Sequence, residues 1–162
     1  MTQLESGMFY EEIRTGLEKN DNAEASLQSV LEKTLAQFDC TVGTIHGIDP
    51  KSGMLKMLAW KGLPEMLLDK VRMIPIGKGM AGIAAQRKEP VQVCNLQTDA
   101  SGVAKPSARE TRVEGSITVP MLVDGKLCGT LGIAKPVEYE FNKDEIDSLM
   151  KLGSLIGKYL SD

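Results

Sequence analysis

Residues 116–134 read SITVPMLVDGKLCGTLGIA. Two apolar runs flank Asp124 and Gly125, and an Asp-Gly pair supplies the positive φ angles that a tight hairpin turn needs. The stretch therefore predicts two antiparallel strands, 116–123 and 126–134. A second hairpin is predicted upstream. There CTVGTIHGI (40–48) and MLKMLAW (54–60) are separated by Asp49, Pro50, Lys51, Ser52 and Gly53, a run of turn formers.

Helical periodicity surrounds these hairpins. Residues 1–19 place Leu4, Met8, Ile13 and Leu17 at roughly helical spacing, the thin stripe of a surface helix. NDNAEASLQSVLEKTLAQF (20–38) is stronger: Leu27, Val30, Leu31, Thr34, Leu35 and Phe38 share one face, and Asp21 or Asn22 can cap its start. A short helix is expected over 63–70, with Pro64 in its first turn. VRMIPI (71–76) reads as extended and runs through glycines into a helix over 80–87 and a brief strand, VQVC (91–94). Residues 95–115 are polar and aperiodic, which predicts either a functional loop or an unrecognised short helix. The last helix opens at Asn142 with Glu145 three residues on, a capping-box-like start. Ile146, Leu149, Met150, Gly153, Ile156 and Leu160 then form one stripe. This order of elements predicts an antiparallel sheet with helices packed on it, not a doubly wound parallel sheet.

The composition limits the functional classes. At 162 residues, with 42% hydrophobic and 25% charged, the chain suits one globular domain with its own core. Nineteen basic against 22 acidic residues leave a net charge of −3, without the positive field that nucleic acid requires. The start, MTQLESGMFYEE, lacks a secretory pattern and no apolar run approaches membrane length, so a cytoplasmic, non-membrane protein is expected. Cys40, Cys94 and Cys128 form no CxxC pair, which argues against a disulfide framework or a zinc site and for a reducing compartment. Neither a metal nor a cofactor is expected.

Several local patterns carry two readings. Gly77, Gly79 and Gly82 spell GxGxxG, but the helix that follows lasts about two turns before Lys88, Glu89 and Pro90, too short for a dinucleotide-binding crossover. Backbone turning and tight packing explain these glycines better. His46, the sole histidine, alternates with Thr44 and Ile48 on a strand and lacks a nucleophile partner, so it reads as a residue of one strand face. Cys94, where the long loop begins, is the thiol best placed for exposure, though free cysteine usually behaves as a small buried hydrophobe. Glu138, Glu140, Asp144, Glu145 and Asp147 cluster at a helix start, where acids complement the dipole. Arg109 and Arg112 either pair with a ligand carboxylate or phosphate, or are simply solvated.

The run IPIGKGMAGIAAQRKEPVQV (74–93), a polar loop, SITVPMLVDGKLCGTLGIAKP (116–136) and the FNKDEIDSL helix start together resemble the GAF domain, a small-molecule sensing module. The resemblance covers almost the whole chain. It implies an α+β, α/β-sandwich fold: a central antiparallel sheet of five to six strands with helices on both faces, and a ligand cavity roofed by residues 95–115. The chain divides into N-terminal helices (1–38), sheet and pocket (40–141) and a C-terminal helix (142–160) within one domain, 1–162. Pocket candidates are Cys94, Asp99, Arg109, Arg112, Ser116 and Thr118.

A free-standing domain of this size also resembles the free methionine-(R)-sulfoxide reductases. Two of that family's cysteines fall at Ala81 and near Arg109, and its acidic residues at Ser116, Gly132 and Ala134; only Cys94 lies near one of its cysteine positions, and one thiol cannot both attack a sulfoxide and be resolved by its own partner. The expected function is accordingly a non-catalytic sensory or regulatory module that binds a small metabolite and signals through an output protein. The alternatives are a reductase of that type and a ligand-free dimerisation module. Family members commonly pair through their terminal helices, so the resemblance implies a homodimer using the apolar stripes of Leu17 and Ile156; the alternative is a monomer in which the first helix folds back against its own last helix and hides the stripe.

Overall fold

The computed structural model describes residues 3–19, 22–104 and 111–161; Asp21, Arg109 and the side chain of Leu4 lie outside the described residues. Among the described residues five helices and six strands follow one another: α1 (Gln3–Lys19), α2 (Ala23–Gln37), β1 (Val42–Ile48), β2 (Leu55–Lys61), α3 (Glu65–Val71), β3 (Met73–Ile74), α4 (Gly79–Arg87), β4 (Val91–Val93), β5 (Ser116–Val123), β6 (Lys126–Ala134) and α5 (Lys143–Ser161). The strands form one sheet in the order β3-β2-β1-β6-β5-β4, with every neighbouring pair antiparallel. This is the GAF-like α+β sandwich that the sequence resemblance implies.

The β5–β6 hairpin turns at Asp124 (φ 51°) and Gly125 (φ 79°), the two positive angles that the Asp-Gly pair predicts. β6 then lies beside β1 as well as β5, so the two hairpins join into one sheet. Pro120 is tolerated in β5 because pairing with β4 stops at Thr118, so no β4 residue stands opposite the proline.

Strand side chains alternate between two faces. Ile45, Ile117, Val119, Leu131 and Ile133 enter the main core, where they meet Ile13 of α1, Leu31 of α2, and Leu152 and Ile156 of α5. Thr44, Thr118, Gly132 and Ala134 point the other way, into a cavity bordered by α3, α4 and the segment after β4. A second, smaller cluster of Val93, Leu96, Val113 and Ala134 packs on that side.

The caps agree with the sequence. Asn22 accepts a hydrogen bond from the Ala25 amide at 3.1 Å. Asn142 Oδ1 accepts from the Glu145 amide at 2.9 Å while Glu145 Oε1 accepts from the Asn142 amide at 3.0 Å, a reciprocal box. Gly77 (φ 93°) and Gly79 (φ 66°) turn the chain into α4, and a methyl group on Gly82 would meet the Pro75 carbonyl at 2.5 Å, so the GxGxxG run serves turning and packing.

Three expectations change. Pro64 precedes α3 in the N-cap position with an extended ψ of 140°, rather than lying inside the first turn. Of VRMIPI only Met73 and Ile74 pair, with Lys56 and Leu55, since Pro75 has no amide to continue the ladder. The terminal helices also leave less apolar surface than their stripes suggest. Phe9, Ile13 and Leu17 of α1 and Leu149, Leu152 and Ile156 of α5 are buried within the single chain, because α1 folds back onto α2 and α5. Three buried side chains at about 2 kcal/mol each account for the docking of a helix with so thin a stripe.

Candidate functional site

The cavity measures about 440 Å³, within the range of about 300–1,000 Å³ typical of small-molecule sites. Its floor is the sheet: Val42, Gly43 and Thr44 of β1, Ser116 and Thr118 of β5, and Gly132, Ile133 and Ala134 of β6. One wall is α3 with the residues beside it, where Leu63, Leu67, Val71 and Ile74 face inward. The second wall is the start of α4, from Lys78 to Ala81, and the roof includes Leu96, Ala104, Thr111 and Val113.

The floor contains a polar rung in a largely apolar setting. Thr44, Gly132 and Thr118 are register partners across β1, β6 and β5, so their side-chain positions stand in one row. A methyl group on Gly132 would sit 3.2 Å from Thr118 Oγ1 and 3.4 Å from Thr44 Oγ1. The glycine thus leaves a gap between two hydroxyls. Ser116 is partly committed elsewhere, donating to the Ile133 carbonyl at 3.5 Å.

The start of α4 adds positive potential. Lys78 is its N-cap residue and makes no side-chain capping bond, so the first turn of the helix, which borders the cavity, has no side-chain cap. Lys70 and Lys78 also border the space, and no Asp or Glu lines it among the described residues. Beside the floor, buried His46 donates from Nε2 to the Val71 carbonyl at 2.8 Å and so ties β1 to the end of α3.

The model for the GAF domain matches residues 21–161. This chain belongs to the GAF domain family.

Solved GAF domains share the fold at low sequence identity. The GAF domain of a phosphoenolpyruvate-protein phosphotransferase from Coxiella burnetii superposes with a TM-score of 0.84 at 18% identity, covering 99% of this chain and 95% of that one. The nlh2 GAF domain of A. aeolicus, in an inactive state, gives 0.76 at 21% identity, with 98% and 97% coverage. A free methionine-R-sulfoxide reductase from Neisseria meningitidis, in complex with its substrate, gives 0.76 at 18%, with 99% and 93% coverage. At such identities the likeness is one of fold. A search among curated proteins finds no sequence match.

Within this GAF cavity the pocket candidates separate. Ser116 and Thr118 line it; Cys94, Asp99 and Arg112 do not, and Cys94 and Arg112 are exposed. Cys94 follows the last residue of β4, and Arg112 adopts a positive φ of 61° between the inward-facing Thr111 and Val113. Ala81, Ser116, Gly132 and Ala134, the positions where the reductase resemblance expects thiol and acids, all border the space.

The sequence reading missed Thr44 and the apolar wall of α3. Leu67 and Val71, four residues apart on a short helix, were a legible signal for that wall. Thr44 had none, because its place opposite Gly132 is a matter of cross-strand register. None of the three cysteines lines the cavity. Cys40 is buried and its thiol is pushed up to about 12 by that burial, Cys94 is exposed, and Cys128 lies 3.4 Å from Ser161 Oγ beside α5. Among the described residues no cluster of His, Cys, Asp and Glu is suited to a metal ion, and no helix is long and apolar enough to cross a membrane.

Proposed function

We propose that this GAF domain is a non-catalytic sensory or regulatory module that binds a small molecule and communicates its occupancy to an output protein. The observation that carries the reading is a ligand-sized cavity with a polar rung on its floor and none of the chain's cysteines in its lining. Sulfoxide reduction through thiols needs one sulfur to attack and another to resolve the oxidised intermediate. The separate environments of Cys40, Cys94 and Cys128 argue against such a pair.

Self-association through the terminal helices belongs to the same reading. It would use the outer face of α1, where Met8 is 66% exposed, since Leu17 and Ile156 are already committed to the chain's own core.

Two measurements test the proposal. Free methionine-(R)-sulfoxide with a dithiol donor should give no turnover above the protein-free control. Native mass spectrometry of the protein incubated with a metabolite extract should show a retained small molecule, displaced when Gly132→Ala narrows the floor. Turnover abolished by Cys94→Ser would return the reductase reading. A domain that retains nothing from the extract would favour a ligand-free assembly element.

A further inference from the structure

Resting on the reading that the cavity holds a small molecule, we propose that its ligand is a small carboxylic acid with an apolar body and no positive charge. The acid group lies between the start of α4 and the Thr44–Gly132–Thr118 rung.

Thr118 supplies the first observation. The residue is only 6% exposed, its Oγ1 makes no hydrogen bond among the described residues, and it lines the cavity beside the gap over Gly132. The hydroxyl faces the cavity and is not one of the fully buried unpartnered atoms of the core, so an occupant of the cavity is placed to become its partner. Thr44, across the same gap, doubles the available donors. An acceptor over Gly132 can therefore take two O–H donors at once, where any larger residue would have filled the space.

The second observation fixes the charge of that acceptor. α4 begins with Gly79, Met80 and Ala81 along the cavity wall, and Lys78 provides no side-chain cap. Uncapped amides at a helix N-terminus favour an anion. Lys78 has the same sign, and no carboxylate among the described lining residues could compensate an ammonium group.

The walls fix the rest of the molecule. Leu67, Val71, Ile74 and Val113 offer apolar surface to a branched or straight alkyl body. No aromatic ring lines the cavity among the described residues, so a nucleobase would find no stacking platform.

Isothermal titration with 4-methylpentanoate, 4-methylpentan-1-ol and L-leucine compares an anion, a neutral alcohol and a zwitterion on one carbon skeleton. The acid should bind at least about tenfold more tightly than either analogue, in keeping with charge-assisted hydrogen bonding. Thr118→Val, which keeps the side-chain shape, should weaken it about tenfold, and Lys78→Gln should weaken it less and reduce its salt dependence. Amide spectra of each variant, superposable on the parent away from the cavity, establish that the fold is kept.

Equal binding of the alcohol or of leucine overturns the assignment, as does acid binding indifferent to Thr118→Val. The metabolite-extract experiment separates this inference from the reading beneath it. A retained ligand that is a base or a nucleotide refutes the carboxylic acid and leaves the sensor reading standing, whereas no retained ligand and no binding of the acid refutes both.

Discussion

His46 shows how a single residue gains meaning from its surroundings. It is 1% exposed, its Nε2 donates to the Val71 carbonyl, and its Nδ1 has no hydrogen-bond partner among the described residues. Its register partner across β1 and β6, Thr130, likewise has a buried hydroxyl without a partner. Burial holds the imidazole below its ordinary value of 6.5, outweighing the bond to Val71 that acts the other way. The folded protein therefore keeps His46 neutral while the unfolded chain takes up a proton below about 6.5. More protons on the unfolded state means that stability falls as the pH drops through 6.5, by up to about 1.4 kcal/mol per pH unit until the folded-state value is reached. Urea unfolding at pH 7.5 and 5.5 should show this loss, and His46→Gln should remove it. Identical pH dependence in the variant would contradict the assignment. No sequence signal distinguished this buried histidine from a surface one, because the β1 strand alone does not show that α3 covers it.

At the scale of the element, the segment between β4 and β5 is the least regular part of the described chain, yet its ends are fastened. The Leu96 amide donates to the Glu114 carbonyl at 2.7 Å, Glu114 to Lys135 at 2.8 Å, and Gly115 to Val137 at 2.9 Å. Further along, the amides of Ser101 and Val103 bond, among the described residues, to the nearby side chains of Asp99 and Ser101, both at 3.3 Å, and Ala100 to Gly102 are exposed. Local opening there costs few buried contacts. Hydrogen exchange in the free protein should therefore be fast over 100–103 and slow at Leu96, Glu114 and Gly115. Equal protection along the whole segment would show it to be part of the rigid frame. The polar, aperiodic sequence of 95–115 made the irregular course legible, whereas Leu96 and Val113, which anchor it, look like isolated apolar residues until β5 and β6 are in place.

Over the whole molecule, the sheet divides the chain into a core side and a cavity side, and the terminal helices lie on the core side. Leu17 is 5% exposed and Ile156 fully buried. Leu17→Glu and Ile156→Glu each place an unpaired charge in that core, and each should cost about 3 kcal/mol of stability. For a domain of this size that is a drop of about 10 °C in melting temperature. Thermal unfolding with sedimentation at one concentration tests this: the losses should appear in melting temperature whether or not the parent protein self-associates. Variants that melt like the parent and differ only in mass would place both residues at a seam between copies instead.

Elements with local causes are legible in the amino-acid sequence. The Asp124-Gly125 turn, the Asn142–Glu145 box and the periodic stripe of α5 depend on neighbours within a few residues, and the order of two hairpins among helices was enough to indicate an antiparallel sheet. Its glycine-punctuated runs carried the family resemblance. The cavity exists only once the strands are paired. Ser116 and Thr118 border it through the two-residue alternation of β5, but Thr44 and Gly132 come from strands far apart in sequence, and Cys94, Asp99 and Arg112 are left outside by the path of the loop. The physical reason is register: a shift of one residue would turn every one of these side chains to the opposite face, and register is fixed by the packing of the whole sheet against its helices.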